Sequence, residues 1–383
     1  MDKKTYKVEK LVEGGAGIVR DGSHTIFVPF VIPGEEIKIS IEAGSKSPTR
    51  AAAVSIESPS SARVEPRCPI FGRCGGCGFQ HIAYGHQLIY KREIMLETFA
   101  RIAGMEPSIE PVIPSEKEYN YRSRIKLQVR NGGIGFYAER KKEFIKVAHC
   151  HLAEETINRN IESVGKLVVN TRQGTLELVM ADDRSVTAVL GGGTRRKIFG
   201  KTTAGEWKAE RGAKMAFAQV NPSQNERLRS LVAKFVSRLK PRGVIELYAG
   251  SGNLTEVVAP LCEWINAVDS DASAVSMGKE RVGANVEFER CKSGEFVDMA
   301  AKEGTKPDLV LLDPPRPGAS ETISGIARLA PADIIYVSCN PATLARDTRM
   351  LADEGYSIKS ITPIDMFPQT AHIESVTLLQ KDR

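Results

Sequence analysis

Four cysteines constrain the fold of this chain more than any other feature, because they lie far apart in the sequence. Cys68, Cys74 and Cys77 form a C-x5-C-x2-C pattern around a glycine-rich turn, and Cys150 follows much later. Soft thiolate ligands arranged around one centre select zinc or an iron–sulfur cluster. A fold that uses all four must therefore bring the chain around Cys150 back to that turn.

The spacing favours an iron–sulfur cluster. A zinc ribbon usually repeats a second C-x2-C pair, whereas here only a lone cysteine follows. The pattern also differs from the C-x3-C-x2-C of radical enzymes, which leave one iron open, so we expect a closed cluster that organises structure. The alternatives are zinc, small buried cysteines and a disulfide pair.

The length and composition are those of a multidomain protein of the reducing cytoplasm. A chain of 383 residues with 42% hydrophobic content can hold two or three cores. It contains no apolar run of about 18 residues that would suit a membrane span. The first residues lack the apolar segment of a secretory signal, so the seven cysteines are expected to be reduced. We expect a cytoplasmic monomer with no membrane partner.

Positive charge is concentrated in the middle of the chain. Residues 61–200 carry 22 basic and 15 acidic side chains, whereas residues 1–60 carry 8 of each. A surplus of this kind around the cysteines suits a polyanion such as RNA or DNA. An ordinary solvated surface is the alternative interpretation.

Hydrophobic periodicity predicts three domains. Residues 1–60 alternate in short strands, as at 25–28 and 36–41, and are expected to form a small OB-like β-barrel. Residues 61–204 are expected to form a β-rich central domain that carries the cysteines and a helix at 82–104. Residues 205–383 alternate apolar strands and helices, which predicts a doubly wound, Rossmann-like α/β domain.

A glycine loop in the last domain predicts a nucleotide-type cofactor. The strand at 244–248 runs into Ala-Gly250-Ser-Gly252-Asn, and the next strand ends at Asp269, which can accept hydrogen bonds from ribose hydroxyls. The spacing alone does not separate NAD from S-adenosylmethionine. The missing third glycine favours the methyl donor, and a plain strand-to-helix turn is the alternative.

Reactive side chains follow later strands of the same sheet. One strand ends at Asp313-Pro-Pro-Arg, and the next ends at Ser-Cys339-Asn340-Pro341, where the asparagine can cap a helix. The partial positive charge of that helix start is expected to favour the Cys339 thiolate. Glu374 stands at the beginning of a last strand near 376–379.

A thiolate, a carboxylate base and a methyl donor at one sheet edge suit methylation of uracil at carbon 5. Thiolate addition at carbon 6 makes carbon 5 nucleophilic, and a base then removes the proton from carbon 5. The uridine must leave its stack to reach such a pocket.

The chain resembles the RNA uridine-5-methyltransferases, most closely the bacterial members that act on 23S ribosomal RNA. Residues 5–58 look like the TRAM barrel of that family, an RNA-binding accessory domain, and the four cysteines resemble its 4Fe–4S site. The segments Phe217-Ala-Gln219-Val-Asn, Asp313-Pro-Pro-Arg, Ser-Cys339-Asn-Pro and His-Ile-Glu374 resemble its signature motifs.

The resemblance implies a role for each matching residue. Cys339 is expected to be the nucleophile and Glu374 the proton acceptor, with Phe217 near the flipped nucleotide. The positions that match contacts to S-adenosylmethionine or to the target base are Gln219, Tyr248, Asn253, Asp269 and Asp313.

Three other functions are open at this point. An amine methyltransferase with Asp-Pro-Pro usually has an aromatic residue next, where this chain has Arg316, and it has no use for Cys339. An inactive RNA-binding protein does not need both Cys339 and Glu374. Transfer RNA is the alternative substrate, and 23S ribosomal RNA is favoured by analogy alone.

Overall fold

The computed structural model of the chain describes residues 4–41, 49–138, 143–181, 183–192, 195–201, 205–210 and 219–382. Within these ranges the strands form three sheets, of six, seven and seven strands. The α-helices are α1 (Tyr84–Ala103), α2 (Glu155–Gly165), α3 (Pro222–Leu239), α4 (Thr255–Val258), α5 (Ala272–Lys279), α6 (Ser293–Lys302), α7 (Ile323–Leu329) and α8 (Pro341–Asp353). None of these helices combines the length and apolar character that crossing a membrane requires.

The strands of the first sheet lie within residues 5–41 and 49–58, in the part of the chain where the alternating pattern predicts strands. Its strands are β1 (Thr5–Lys7), β2 (Lys10–Leu11), β3 (Gly17–Asp21), β4 (His24–Val28), β5 (Glu36–Ile41) and β6 (Thr49–Ser58). They are arranged in the order β1-β5-β6-β4-β3-β2. Glu9, between β1 and β2, donates its backbone N–H to the carbonyl of Ile18 in β3 at 2.8 Å. β1 pairs with β5 at one end of the strand order, and β2 pairs with β3 at the other end. The short stretch of chain that contains β1 and β2 therefore contacts both ends of the sheet.

The second sheet is antiparallel throughout and forms the middle of the chain. Its strands are β7 (Arg124–Arg130), β8 (Gly133–Tyr137), β9 (Phe144–Lys146), β10 (Gln173–Met180), β11 (Val186–Gly192), β12 (Arg195–Lys201) and β13 (Trp207–Glu210). Helix α2 buries Ile157 and Ile161 against this sheet. The sheet extends past residue 204, the boundary predicted from the sequence, because β13 pairs with β12.

Helix α1 confirms the predicted helix at 82–104 but packs in an unexpected place. It ends at Gly104, whose φ of 64° is the left-handed conformation that glycine adopts readily, and whose N–H bonds to the Phe99 carbonyl. Its apolar side, with Ile94, Met95 and Phe99, is buried in one core with the third sheet. The helix that we assign to the central domain thus packs its apolar face on the C-terminal part of the chain.

The third sheet confirms the α/β prediction for the C-terminal part of the chain. Its strands are β14 (Gly243–Leu247), β15 (Trp264–Asp269), β16 (Val286–Arg290), β17 (Leu309–Leu312), β18 (Asp333–Ser338), β19 (Tyr356–Ile364) and β20 (Glu374–Lys381). The order is β16-β15-β14-β17-β18-β20-β19, in which β14 to β18 are parallel and β20 is antiparallel to both of its neighbours. The strand order reverses between β14 and β17, with β15 and β16 on one side of β14 and the later strands on the other, and ligands bind at such switch points.

Candidate active site

The glycine loop after β14 has the backbone geometry of a ligand-binding turn. Gly250 and Gly252 have φ angles of 57° and 91°, so both occupy the left-handed region that favours glycine. Tyr248, immediately after the strand, has a φ of 59°, which is rare for a bulky residue and typical of functional sites. Its hydroxyl donates to Glu321 at 3.2 Å.

Asp269 ties the glycine loop to the next strand. One of its carboxylate oxygens accepts the backbone N–H of Gly250 at 2.8 Å, and the other accepts that of Asp271 at 2.8 Å. A carboxylate oxygen has two lone pairs, so each retains a free acceptor position for a hydroxyl group. The predicted arrangement of loop and acid is therefore present at the sheet edge.

The side chain of Asn253 is directed towards helix α3. Its amide exchanges two hydrogen bonds of 2.9 Å with the amide of Asn225. Gln219 is half-buried and lies just before Asn221, which caps α3 by accepting from the Gln224 N–H. Phe217 lies outside the described residues.

Cys339 occupies the corner between β18 and α8. Asn340 caps the helix by accepting the backbone N–H groups of Ala342 and Thr343, and Pro341 begins it, as predicted. The Asn340 amide also donates to the Arg316 carbonyl at 3.2 Å, which joins this corner to the loop after Asp313. Two neighbouring parallel strands thus present their carboxyl ends together.

The antiparallel pair of β18 and β20 brings Glu374 to the same corner. The last registered pair is Ser338 with Ser375, so Cys339 and Glu374 are the next residues outward on the two strands. Glu374 is 3% exposed. Burial raises its pKa well above the usual range, and repulsion from Asp313 adds to the effect.

Asp313 is the second acid of this corner. Burial raises its pKa to about 7. Since Asp313 and Glu374 interact, their two protons titrate as a pair. The buried Glu246 of β14 lies close enough for Asp313 to contribute to its raised pKa of about 8, which is caused mainly by burial. Three acids at this sheet edge therefore have raised pKa values.

The expected activation of the Cys339 thiol by its helix is wrong for the free protein. Burial raises its pKa to about 11, and repulsion from Glu374 and Asp313 adds to the rise, while Arg316 opposes it. Desolvation and two nearby carboxylates outweigh a helix start, whose influence is short-ranged. The free protein therefore carries a protonated thiol at neutral pH.

The loop that precedes Glu374 is held by buried polar contacts with α1. Gln87 accepts the backbone N–H of Gln369 at 3.0 Å, and its amide donates to the Gln369 side chain at 2.9 Å. The ammonium of Lys91 bonds to Asp365 and to the Phe367 carbonyl, and Lys91 and Asp365 are both fully buried. Sequence reasoning missed these contacts, because a glutamine and a lysine in a helix give no signal of a distant partner.

The four predicted ligand cysteines line one cavity of about 440 Å³. Arg122 and His151 are among the other residues in its wall. In the described parts of the chain, no group of three or more His, Cys, Asp or Glu is arranged to hold a single metal ion. A zinc ion would need its four ligands about 2.3 Å away. A four-iron cluster binds each thiolate through a different iron, so its ligands stand farther apart, and the all-cysteine donor set fits it.

A second cavity, of about 430 Å³, opens at Cys339. Its wall combines three parts of the chain: residues 13–16 and 29–30 of the first sheet, residues 75–78 of the cysteine turn, and the corner formed by Arg316, residues 339–341 and residues 370–373. The two cavities share Gly76 and Cys77. Arg316 lies 3.2 Å from a ring nitrogen of His372 at this wall, a contact that the sequence did not indicate.

Comparisons with known proteins agree with this geometry. A family model described as tRNA (Uracil-5-)-methyltransferase matches residues 204–382. The 23S rRNA (uracil(1939)-C(5))-methyltransferase RlmD of Vibrio parahaemolyticus is 31% identical, over 99% of this chain and 96% of that protein. An uncharacterized RNA methyltransferase of Aquifex aeolicus is 32% identical, with 97% of each chain covered.

A solved structure extends the likeness to the whole fold. The tRNA (uracil-54, C5)-methyltransferase of Pyrococcus abyssi, in complex with S-adenosyl-L-homocysteine, superimposes with a TM-score of 0.74 and 25% identity. The match covers 99% of this chain and 100% of that one. Sequence, fold and the acid–thiol corner lead to one conclusion: the chain belongs to the family of RNA (uracil-C5)-methyltransferases.

Proposed function

We propose that this protein methylates carbon 5 of a uridine in 23S ribosomal RNA, with S-adenosylmethionine as the methyl donor and a covalent bond between Cys339 and the uracil ring. The observation that carries the proposal is the meeting of Cys339, Glu374 and Asp313 at the sheet edge that also bears the glycine loop. A methyltransferase acting on a nucleophilic nitrogen would not need a thiol opposite a buried carboxylate.

The glycine loop and its neighbours are the proposed donor site. Tyr248, Asp269 and the backbone of Gly250 supply an aromatic ring, hydroxyl acceptors and close backbone approach. S-adenosylmethionine, when bound there, supplies an electrophilic methyl group and a positive sulfonium charge that favours the ionised forms of nearby acids. The acids around Cys339 are suited to such a cationic ligand, because a positive charge offsets the repulsion between their ionised forms.

The chain's own residues carry the remaining steps. The Cys339 thiol gives its proton to solvent as its sulfur bonds to carbon 6 of uracil. The electrons of the C5–C6 double bond shift onto carbon 5 and the neighbouring carbonyl oxygen, so carbon 5 becomes nucleophilic. Once carbon 5 carries the methyl group, Glu374 takes the proton from carbon 5. The electrons of that C–H bond restore the ring double bond, and the carbon–sulfur bond breaks to release the thiolate. Burial of Glu374 supports this role, since a base with a raised pKa is a stronger proton acceptor.

We further infer that the first sheet is a TRAM-type RNA-binding domain and that Cys68, Cys74, Cys77 and Cys150 hold a 4Fe–4S cluster. The first inference is supported by the contribution of this sheet to the wall of the Cys339 cavity. The second is supported by the convergence of the four thiols on one cavity.

Mapping of modified uridines tests the proposal. Ribosomal and transfer RNA from cells with and without the protein are digested and compared by mass spectrometry. One 5-methyluridine in 23S ribosomal RNA should disappear with the protein. Loss of a methyl group from transfer RNA alone would move the substrate to that class, and loss from a ring nitrogen or a ribose would contradict the reaction.

A further inference from the structure

Phe30, in the turn between β4 and β5 of the first sheet, has an unusual position and an unusual backbone. It lines the cavity that opens at Cys339, together with Pro29. Its φ of 61° lies in the left-handed region, where glycine and asparagine are common and a bulky side chain is an outlier. Strained residues of this kind persist only where the surrounding structure holds them, and they concentrate at functional sites.

A partly buried ion pair holds Phe30 in this conformation. The guanidinium of Arg63 donates to the Phe30 carbonyl at 3.0 Å. The same guanidinium binds Glu35 through two hydrogen bonds, of 2.6 and 2.7 Å, and Glu35 is fully buried. A bidentate ion pair of this geometry is rigid, so it fixes the position of the guanidinium that binds the Phe30 carbonyl.

Two rings brace the Phe30 side chain. Phe71 and His81, from the segment that carries the cysteines, lie edge-on to it with centroid distances of 5.1 and 6.2 Å. These contacts leave Phe30 half-buried, with part of its surface on the cavity. Apart from His372, it is the one aromatic side chain among the described residues of this wall.

The first sheet is also docked tightly against the loop that precedes Glu374. A side-chain carbon added at Gly15 would lie 2.7 Å from the ring of Phe79 and 2.8 Å from the Ala371 side chain. Since real side-chain carbons do not approach so closely, only glycine allows this contact. Phe30 is therefore held at a defined position in the wall of the Cys339 cavity.

We propose that Phe30 is a stacking platform for a base of the substrate RNA next to the target uridine. This inference rests on the proposed function, because a uridine bonded to Cys339 brings its neighbours in the strand into the same cavity. Aromatic side chains bind unstacked bases by their faces, and single-stranded RNA is recognised in this way. The exposed guanidinium of Arg316 in the same wall suits the connecting phosphate.

The test combines one amino-acid substitution in the protein with removal of one base from the RNA. Phe30→Asn removes the ring and places a residue that tolerates a positive φ, so relief of backbone strain should offset part of the loss of the ring contacts with Phe71 and His81, and the variant should fold. The RNA is a fragment around the uridine found by mapping, with its neighbouring bases removed one at a time by abasic substitution. In the wild-type protein, one abasic neighbour should weaken RNA binding by about tenfold, the contribution of one stacked base.

Phe30→Asn should bind the intact RNA about tenfold more weakly than the wild type does, which is the same loss of affinity. The abasic substitution should then cause no further loss of affinity in this variant. The KM for RNA should rise while kcat changes little, because the methyl-transfer groups are untouched. Phe30→Tyr retains a ring and should retain the sensitivity to the abasic neighbour. Equal sensitivity in wild type and Phe30→Asn would overturn the inference, as would unchanged RNA affinity in Phe30→Asn. If wild type does not methylate the fragment at carbon 5, the proposed function fails instead, and the stacking role falls with it.

Discussion

Cys339 and Glu374 face each other across the antiparallel strands β18 and β20, one position beyond the last registered pair of Ser338 and Ser375. Cys339 directly follows the parallel strand β18, and Glu374 begins β20, which runs antiparallel to it. The antiparallel β20 is thus what brings an acid to a thiol, since a parallel strand there would begin at the opposite edge. Glu374 adds to the raised pKa of the Cys339 thiol, which is caused mainly by burial.

Substitution of the thiol should abolish methyl transfer. We expect Cys339→Ala to lose roughly 10³-fold or more in methylation of RNA, because no other group can form the covalent bond to carbon 6. Binding of S-adenosylmethionine, measured by calorimetry, should remain near normal. Cys262→Ala is the matched control, because Cys262 lies away from the sheet edge with its thiol near the Val258 carbonyl. Full activity in Cys339→Ala would exclude the covalent route.

Substitution of the base should trap an intermediate. In Glu374→Gln the ring can still be attacked and methylated, but the carbon-5 proton has no acceptor, so turnover should fall by about 10²–10⁴-fold. A protein–RNA adduct should then appear as a shifted band on a denaturing gel. The double variant Cys339→Ala with Glu374→Gln should give no such band. Absence of the band from the single variant would remove Glu374 from the elimination step.

The Cys339 thiol should react slowly with alkylating agents in the free protein. With a pKa of about 11, its alkylation by iodoacetamide should rise about tenfold per pH unit between pH 8 and 10, because the thiolate is the reacting form. Glu374→Gln removes a repelling carboxylate and should speed the reaction several-fold at pH 9. Peptide mass mapping separates Cys339 from the other cysteines. A fast, pH-independent reaction would show that the thiol is already ionised.

The buried pair of Lys91 and Asp365 should be important for stability. Burial lowers the pKa of Lys91, and the attraction of Asp365 opposes that effect. Lys91→Met leaves Asp365 without its partner, and the free energy of unfolding should fall by roughly 3–5 kcal/mol. Lys91→Met combined with Asp365→Leu should recover much of the loss, because neither charge then remains buried alone. Denaturant unfolding measures both, and equal losses in the two variants would contradict the pairing.

The cysteine site should hold iron. Anaerobic purification should give a brown protein with about four irons and four sulfides per chain, as expected for a closed four-cysteine cluster. Cys150→Ser should lower the iron content, because it removes the one ligand that comes from outside the turn. Cys291→Ser, at a half-buried cysteine outside this cavity, is the control. A colourless protein with stoichiometric zinc would reject the cluster.

The sequence alone predicted those structural features whose signal is local. Gly104 ends α1 and Asn340 caps α8 because a left-handed residue and a capping amide act within one turn of the chain. The apolar runs of the parallel strands, and the acid that ends a strand at Asp269, are local in the same sense. These signals predicted the fold class, and they predicted that the main site residues lie at one sheet edge.

Only the tertiary structure decided the properties that depend on distant partners. The raised pKa of Cys339 comes from burial beside Glu374 and Asp313, which outweighs the local influence of its helix. The placement of Phe30 at the same cavity depends on how the first sheet docks. Desolvation and long-range contact have no fixed spacing in the sequence, so no pattern of residues could have revealed them.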